Sequence, residues 1–128
     1  MNNIFGIGTD IVDISRVKKL LNGNKKFKYR IFSEKEIKYC ESKKNKIGSY
    51  SKRFAAKEAF AKAIGIGISK GISFNEISIT NNKNGAPLIE LLGKTKKIIN
   101  KLTKRKNKIY LSLSDEAKYA LAVVVISY

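Results

Sequence analysis

The chain has 128 residues, with 27 Lys and Arg against 10 Asp and Glu, one cysteine and no histidine. Without histidine, Ser-His-Asp and Cys-His triads and His-ligated zinc are excluded, so any metal must be held mainly by oxygen, as Mg²⁺, Mn²⁺ or Ca²⁺ prefer. The net charge of +17 points to nucleic acid, an anionic cofactor or an acidic protein as partner, or to a drift that fills tolerant surface positions with lysine.

The length suits a single domain, residues 1–128, whose core needs neither disulfide nor structural metal. Cys40 reads as a reduced, unreactive thiol, since nothing in the composition can activate it as a histidine would. No stretch resembles an export signal, and the longest apolar run, YALAVVVI at Tyr119 to Ile126, is too short to span a bilayer. A soluble, cytoplasmic protein with no membrane partner is expected.

IFGIGTDIVDI at Ile4 to Ile14 predicts a strand through about Gly8 and a turn near Asp10, with Asp13 placed to cap a helix beyond it. Ile14, Val17, Leu20 and Leu21 recur at helical spacing between basic residues and predict a short amphipathic helix ending at Asn22-Gly23-Asn24. FKYRIF at Phe27 to Phe32 is short and basic. Ser33 and Glu36 then form a capping box for a helix through about Lys43.

A longer helix is expected from Ser49 or Tyr50, with Phe54, Ala55, Ala59, Phe60 and Ala63 as its apolar side and Gly65-Ile66-Gly67 as its stop. Ile72 to Thr80 and Pro87 to Leu91 predict a hairpin about a turn at Asn81 to Gly85. A basic helix over Leu92 to Leu102 precedes two last strands, Ile109 to Leu113 and Lys118 to Ser127, joined through Ser114-Asp115-Glu116. The pattern predicts an α+β fold: a mostly antiparallel sheet packed against helices.

RFAAKEAFAK, Arg53 to Lys62, sets Glu58 and Lys62 four residues apart and therefore on one helix face, near Arg53. Mg²⁺ is typically bound by one or two carboxylates together with water and substrate phosphate oxygens. Asp10 and Glu58 suit the protein share of such a site, Lys62 and Arg53 can neutralise a pyrophosphate, and the glycines allow backbone N–H groups to approach an anion. Spacing alone is equally met by an ordinary surface pair at 58 and 62, with Asp10 as a turn residue.

Taken together, GIGTDIVDISRV at residues 6–17 and RFAAKEAFAKAIGIGI at residues 53–68 resemble the two signature segments of the holo-acyl-carrier-protein synthases, a class of 4′-phosphopantetheinyl transferases. The likeness continues through ISFNEISI, NGAP and SDEAKYALAVVVI and covers essentially the whole chain. It implies transfer of phosphopantetheine from coenzyme A to a serine of apo-acyl carrier protein for fatty acid synthesis, with Mg²⁺ as cofactor and adenosine 3′,5′-bisphosphate released. On this resemblance Asp10 and Glu58 are the metal-binding acids and Lys62 assists the leaving group. Arg53, Gly65, Gly67, Asn84, Gly85 and Pro87 match coenzyme A contacts. Either Asp10 or a water on the metal takes the serine proton.

The resemblance further implies a trimer with active sites between subunits, and an acidic carrier protein docking on the basic N-terminal helix. Arg16 matches a docking arginine, with Lys19, Lys25, Lys26 and Lys28 as helpers by position. Ile66, Ala86 and Asp115 depart from the residues usual in the family and leave the three catalytic positions untouched. An RNA-binding or ribosome-associated protein is the rival reading of the positive charge, but it leaves both acidic segments unexplained, and aromatic residues are not interleaved with the basic runs as a stacking surface needs.

Overall fold

A computed structural model describes residues 3–65 and 70–128 of the chain. Strand β1 (Ile4–Asp13) leads into helices α1 (Ile14–Gly23), α2 (Lys25–Ile31), α3 (Glu34–Glu41) and α4 (Lys46–Ile64). A 3-10 turn at Phe74–Glu76 then precedes β2 (Ile77–Asn81), β3 (Pro87–Leu91), α5 (Gly93–Leu102), β4 (Lys108–Glu116) and β5 (Tyr119–Ser127). The strands form an antiparallel three-stranded sheet in the order β1-β5-β4 and a separate β2-β3 hairpin. The α+β expectation holds.

Several local signals act as read. Asp13 caps α1 by accepting from the Ser15 N–H, at 2.9 Å. Ser33 and Glu36 close the capping box of α3. Gly65 ends α4 in the left-handed region, at φ 79°, where a side chain would be strained.

Other expectations are corrected. The chain does not turn near Asp10: β1 pairs with β5 as far as Asp13↔Tyr119, and Asp10 lies opposite Ala122. Phe27 to Phe32 falls largely within helix α2, which begins where the Asn24 side chain accepts from the Lys26 N–H. Helix α4 starts earlier than expected, at Lys46, because Asn45 caps it through the Gly48 N–H. Ser114 to Glu116 are strand residues paired with β5, and Ala117-Lys118 makes the turn, with Ala117 at φ 47°.

The core lies between α4 and the inner face of the three-stranded sheet. That face presents Val12, Ala120, Ala122, Val124 and Ile126 to Ala55, Ala56, Ala59, Phe60 and Ala63. A side chain at Gly6 or Gly8 would overlap the carbonyl oxygens of Ala63 and Ala59, so small residues let β1 and α4 approach backbone to backbone. The outer face of the sheet is apolar yet uncovered in the single chain, with Ile7, Ile11, Tyr110, Tyr119 and Leu121 all exposed.

Candidate active site

The close approach of β1 to α4 brings the two signature segments together. Asp10 lies in the middle of β1 on the side that meets α4, and its carboxylate is mostly buried. Lys62 reaches it from the last turn of α4: Nζ lies 3.2 Å from Asp10 Oδ1 and donates also to the Thr9 carbonyl, at 3.0 Å. Glu58, one turn earlier on α4, is half-buried. Burial, then the negative charge of Asp10, raises its carboxyl above the ordinary value, while Lys62 and Arg16 pull it the other way. Those four opposed influences identify Asp10, Glu58, Lys62 and Arg16 as one electrostatic cluster.

Two carboxylates on packed neighbouring elements, without histidine or thiolate, are a donor set for a hard, oxygen-seeking cation. No group of three or more His, Cys, Asp or Glu able to hold a metal occurs among the described residues, so the remaining ligands of such an ion would be water or substrate oxygens. This pair therefore fits Mg²⁺ and does not fit a closed structural metal site.

Arg53 is not part of the cluster. Five residues before Glu58, it lies about 140° around the helix. It is buried, its guanidinium 4.1 Å above the Tyr39 ring, and donates to Asn81 Oδ1 at 2.9 Å and to Ser49 Oγ at 3.4 Å. Asn81 in turn donates from Nδ2 to the Gly85 carbonyl at 3.0 Å, tying Arg53 to the hairpin turn that carries Asn84, Gly85 and Pro87. Arg53, Tyr39, Lys35, Ile79, Thr80 and Asn81 line a cavity of about 350 Å³. The Arg53 Nε has no partner among the described residues.

The residues proposed from sequence thus fall into two groups on different sides of α4: Asp10, Glu58 and Lys62 on one, Arg53 with the Asn84, Gly85 and Pro87 turn on the other. Gly65 is the exposed cap of α4, and Gly67 lies outside the described residues. Arg16 and Lys19 are exposed on α1, and Lys25 and Lys26 are exposed at the start of α2. Lys28, by contrast, is held by Glu41 at 3.2 Å and faces the Tyr50 ring. Asp115 sits 3.7 Å from Lys52 of α4.

Sequence reasoning missed Asn81 and Tyr39, which fix Arg53, and the buried lysine beside Glu58. Lys57 falls three residues after Phe54 and three before Phe60, inside the apolar stripe of α4, and that position was the available signal.

The chain matches the 4′-phosphopantetheinyl transferase superfamily over residues 6–124 and belongs to that family. Within it, the chain is similar to a holo-[acyl-carrier-protein] synthase of Blochmanniella pennsylvanica, 44% identical over 96% of this chain and 98% of that protein. Its fold is similar to the holo-[acyl-carrier-protein] synthase of Neisseria meningitidis, with TM-score 0.86, 36% identity and coverage of 97% and 98% of the two chains. A holo-(acyl-carrier-protein) synthase of Bacillus anthracis in complex with CoA (3′,5′-ADP) matches with TM-score 0.79 and 33% identity over 97% of this chain and 96% of that one.

Proposed function

We propose that this chain is a holo-acyl-carrier-protein synthase: it transfers 4′-phosphopantetheine from coenzyme A to a serine of apo-acyl carrier protein, in the cytoplasm, for fatty acid synthesis. The observation that carries this reading is the contact of Lys62 with Asp10 across β1 and α4, with Glu58 one turn before Lys62 on the same helix face. In the transfer the serine Oγ forms a bond to the phosphorus that bears pantetheine. The bond from that phosphorus to the bridging oxygen breaks, and adenosine 3′,5′-bisphosphate leaves with the electron pair.

Asp10 and Glu58 would hold Mg²⁺, which when bound neutralises charge on the pyrophosphate. Lys62, whose side chain is 58% exposed, has the reach to meet the departing phosphate and compensate the charge that develops on it. The serine proton would pass to Asp10 or to a water held beside it. Asn84, Gly85 and Pro87 would meet the nucleotide end of coenzyme A, with Arg53 bracing their turn through Asn81, and Gly65 would leave room for its phosphates.

The partner is an acidic carrier protein. Arg16 is exposed on α1, which follows directly from the strand that carries Asp10, so a carrier docked on α1 would lie near that end of the site. Lys19, Lys25 and Lys26 extend the positive surface along the approach. The exposed apolar outer face of the sheet, with Ile7, Ile11, Tyr119 and Leu121, supports burial against another copy of the chain, as in the homotrimer that the family resemblance implies.

Mass spectrometry of apo-carrier protein incubated with the enzyme, coenzyme A and Mg²⁺ tests the reading. The carrier gains one phosphopantetheine mass, and a chelator prevents the gain. A carrier of unchanged mass would overturn it.

A further inference from the structure

Next to Glu58 in sequence, Lys57 is fully buried, and its ammonium has three directed partners. It lies 2.6 Å from Glu36 Oε1 and 2.8 Å from the Phe74 carbonyl, and it also donates to the Ile77 carbonyl. Glu36 Oε1 at the same time accepts from the Ser33 N–H, at 3.0 Å, so the oxygen that holds Lys57 also closes the cap of α3. The other oxygen of Glu36 is buried and has no partner among the described residues. Removing such a charge pair from water is costly, and apolar residues of similar volume often replace one without loss of stability. Stability therefore gives no reason for an ion pair here.

The geometry of α4 supplies one. Against β1 the helix offers alanines to glycines, Ala59 over Gly8 and Ala63 over Gly6. That strip fixes how near the helix comes; the rotation is left to the other sides of α4, where Phe54 and Phe60 pack and where Arg53, Lys62 and Lys57 make directed bonds. Consecutive helix residues point about 100° apart, so Lys57 faces α3 and the 3-10 turn while Glu58 faces β1. A carboxylate about 6 Å from the helix axis moves about 2 Å for a rotation of about 20°, and a misplacement of about 1 Å already costs catalysis heavily. The directed bonds of Lys57 are made one residue from the group whose direction matters.

We propose that the buried Lys57–Glu36 pair is a positioning device: it sets the rotation of α4 and so holds Glu58 opposite Asp10. The proposal rests on the reading of Glu58 as a working carboxylate of the site. Neither Lys57 nor Glu36 is a catalytic residue. Both act through Glu58.

The test compares wild type with the double variant Lys57→Met/Glu36→Leu, which keeps volume and removes direction. The expected double variant is folded, with an unfolding midpoint lowered because the Ser33 N–H and the Phe74 and Ile77 carbonyls lose these partners, and with a KM for coenzyme A within about twofold, while kcat of the folded protein falls by about tenfold or more. In the same samples, nuclear Overhauser contacts between the Gly8 α-protons and Ala59 weaken, a readout that needs neither metal nor substrate. Glu36→Gln keeps a directed acceptor for Lys57 and retains kcat within about threefold.

Wild-type kcat with undiminished Gly8–Ala59 contacts in the double variant would overturn the proposal. So would a double variant that does not fold, because the pair would then serve the fold at large, or a Glu36→Gln enzyme as slow as the double variant, because charge and not direction would then be at work. A wild-type protein that transfers nothing would sink the functional reading alone, and the Overhauser comparison would still decide whether the pair sets the helix.

Discussion

Lys62 on α4 donates to Asp10 on β1 across 3.2 Å, joining residues 52 apart in sequence. That single contact makes one site of two segments that are separately unremarkable as chemistry. It exists because glycines and alanines let the strand and the helix touch backbone to backbone.

Gly8→Ala tests that dependence. Its methyl group would overlap the Ala59 carbonyl, and a helix backbone cannot swing aside as a flexible side chain can. Overpacking of this kind destabilises by about 1–3 kcal/mol. Urea unfolding should show a lower midpoint at unchanged slope, and the folded fraction should transfer slowly because Asp10 is pushed away from α4.

Lys62→Ala separates catalysis from stability. The lysine is largely exposed, so its ion pair with Asp10 contributes under about 1 kcal/mol to folding. Its loss should leave the melting temperature almost unchanged and lower kcat by about a hundredfold, the scale expected for deleting one group that stabilises a transition state. Steady-state kinetics beside a thermal melt distinguishes the two effects.

Glu58 carries a stability penalty whose sign is fixed by its raised carboxyl. A carboxyl held above its ordinary value of 4.5 favours the protonated form in the folded chain. Below 4.5 both folded and unfolded states are protonated and there is no penalty, whereas above the raised folded value the penalty is complete. Glu58→Gln should therefore stabilise the metal-free protein slightly at neutral pH, and the gain should vanish in acid. Thermal melts of both proteins across that range measure it.

Arg16→Glu should raise the Michaelis constant for the carrier protein, most clearly at low salt, and leave coenzyme A binding intact. Charges at such a surface act chiefly on the association rate and are screened by added salt. Initial rates against carrier concentration at two ionic strengths, with calorimetry of coenzyme A, provide the check. An unchanged carrier constant at low salt would remove Arg16 from the docking surface.

Where a signal was local, the sequence was legible. Asp13, the Ser33 and Glu36 box, and Gly65 each mark a helix end through chemistry contained in a few residues. The turn expected near Asp10 failed because Asp10 is satisfied by Lys62, a partner that only the folded chain supplies. The segment at Phe27 to Phe32 became α2 because its apolar residues are covered by distant elements, Phe27 by Phe54 among them. Arg53 was placed with Glu58 by nearness in sequence, yet helix geometry turns it to the other side, where Asn81 and Tyr39 hold it. Asp10, Glu58 and Lys62 were legible because two of them share a helix face and the third stands in a recognisable segment.

Transfer should depend on a metal held jointly by Asp10 and Glu58, and the transfer rate of Glu58→Gln over a Mg²⁺ titration, beside wild type, measures that dependence. The variant should be folded, should bind coenzyme A, and should transfer no phosphopantetheine at any Mg²⁺ concentration that saturates the wild-type enzyme. A near-wild-type rate at saturating Mg²⁺ would contradict the account.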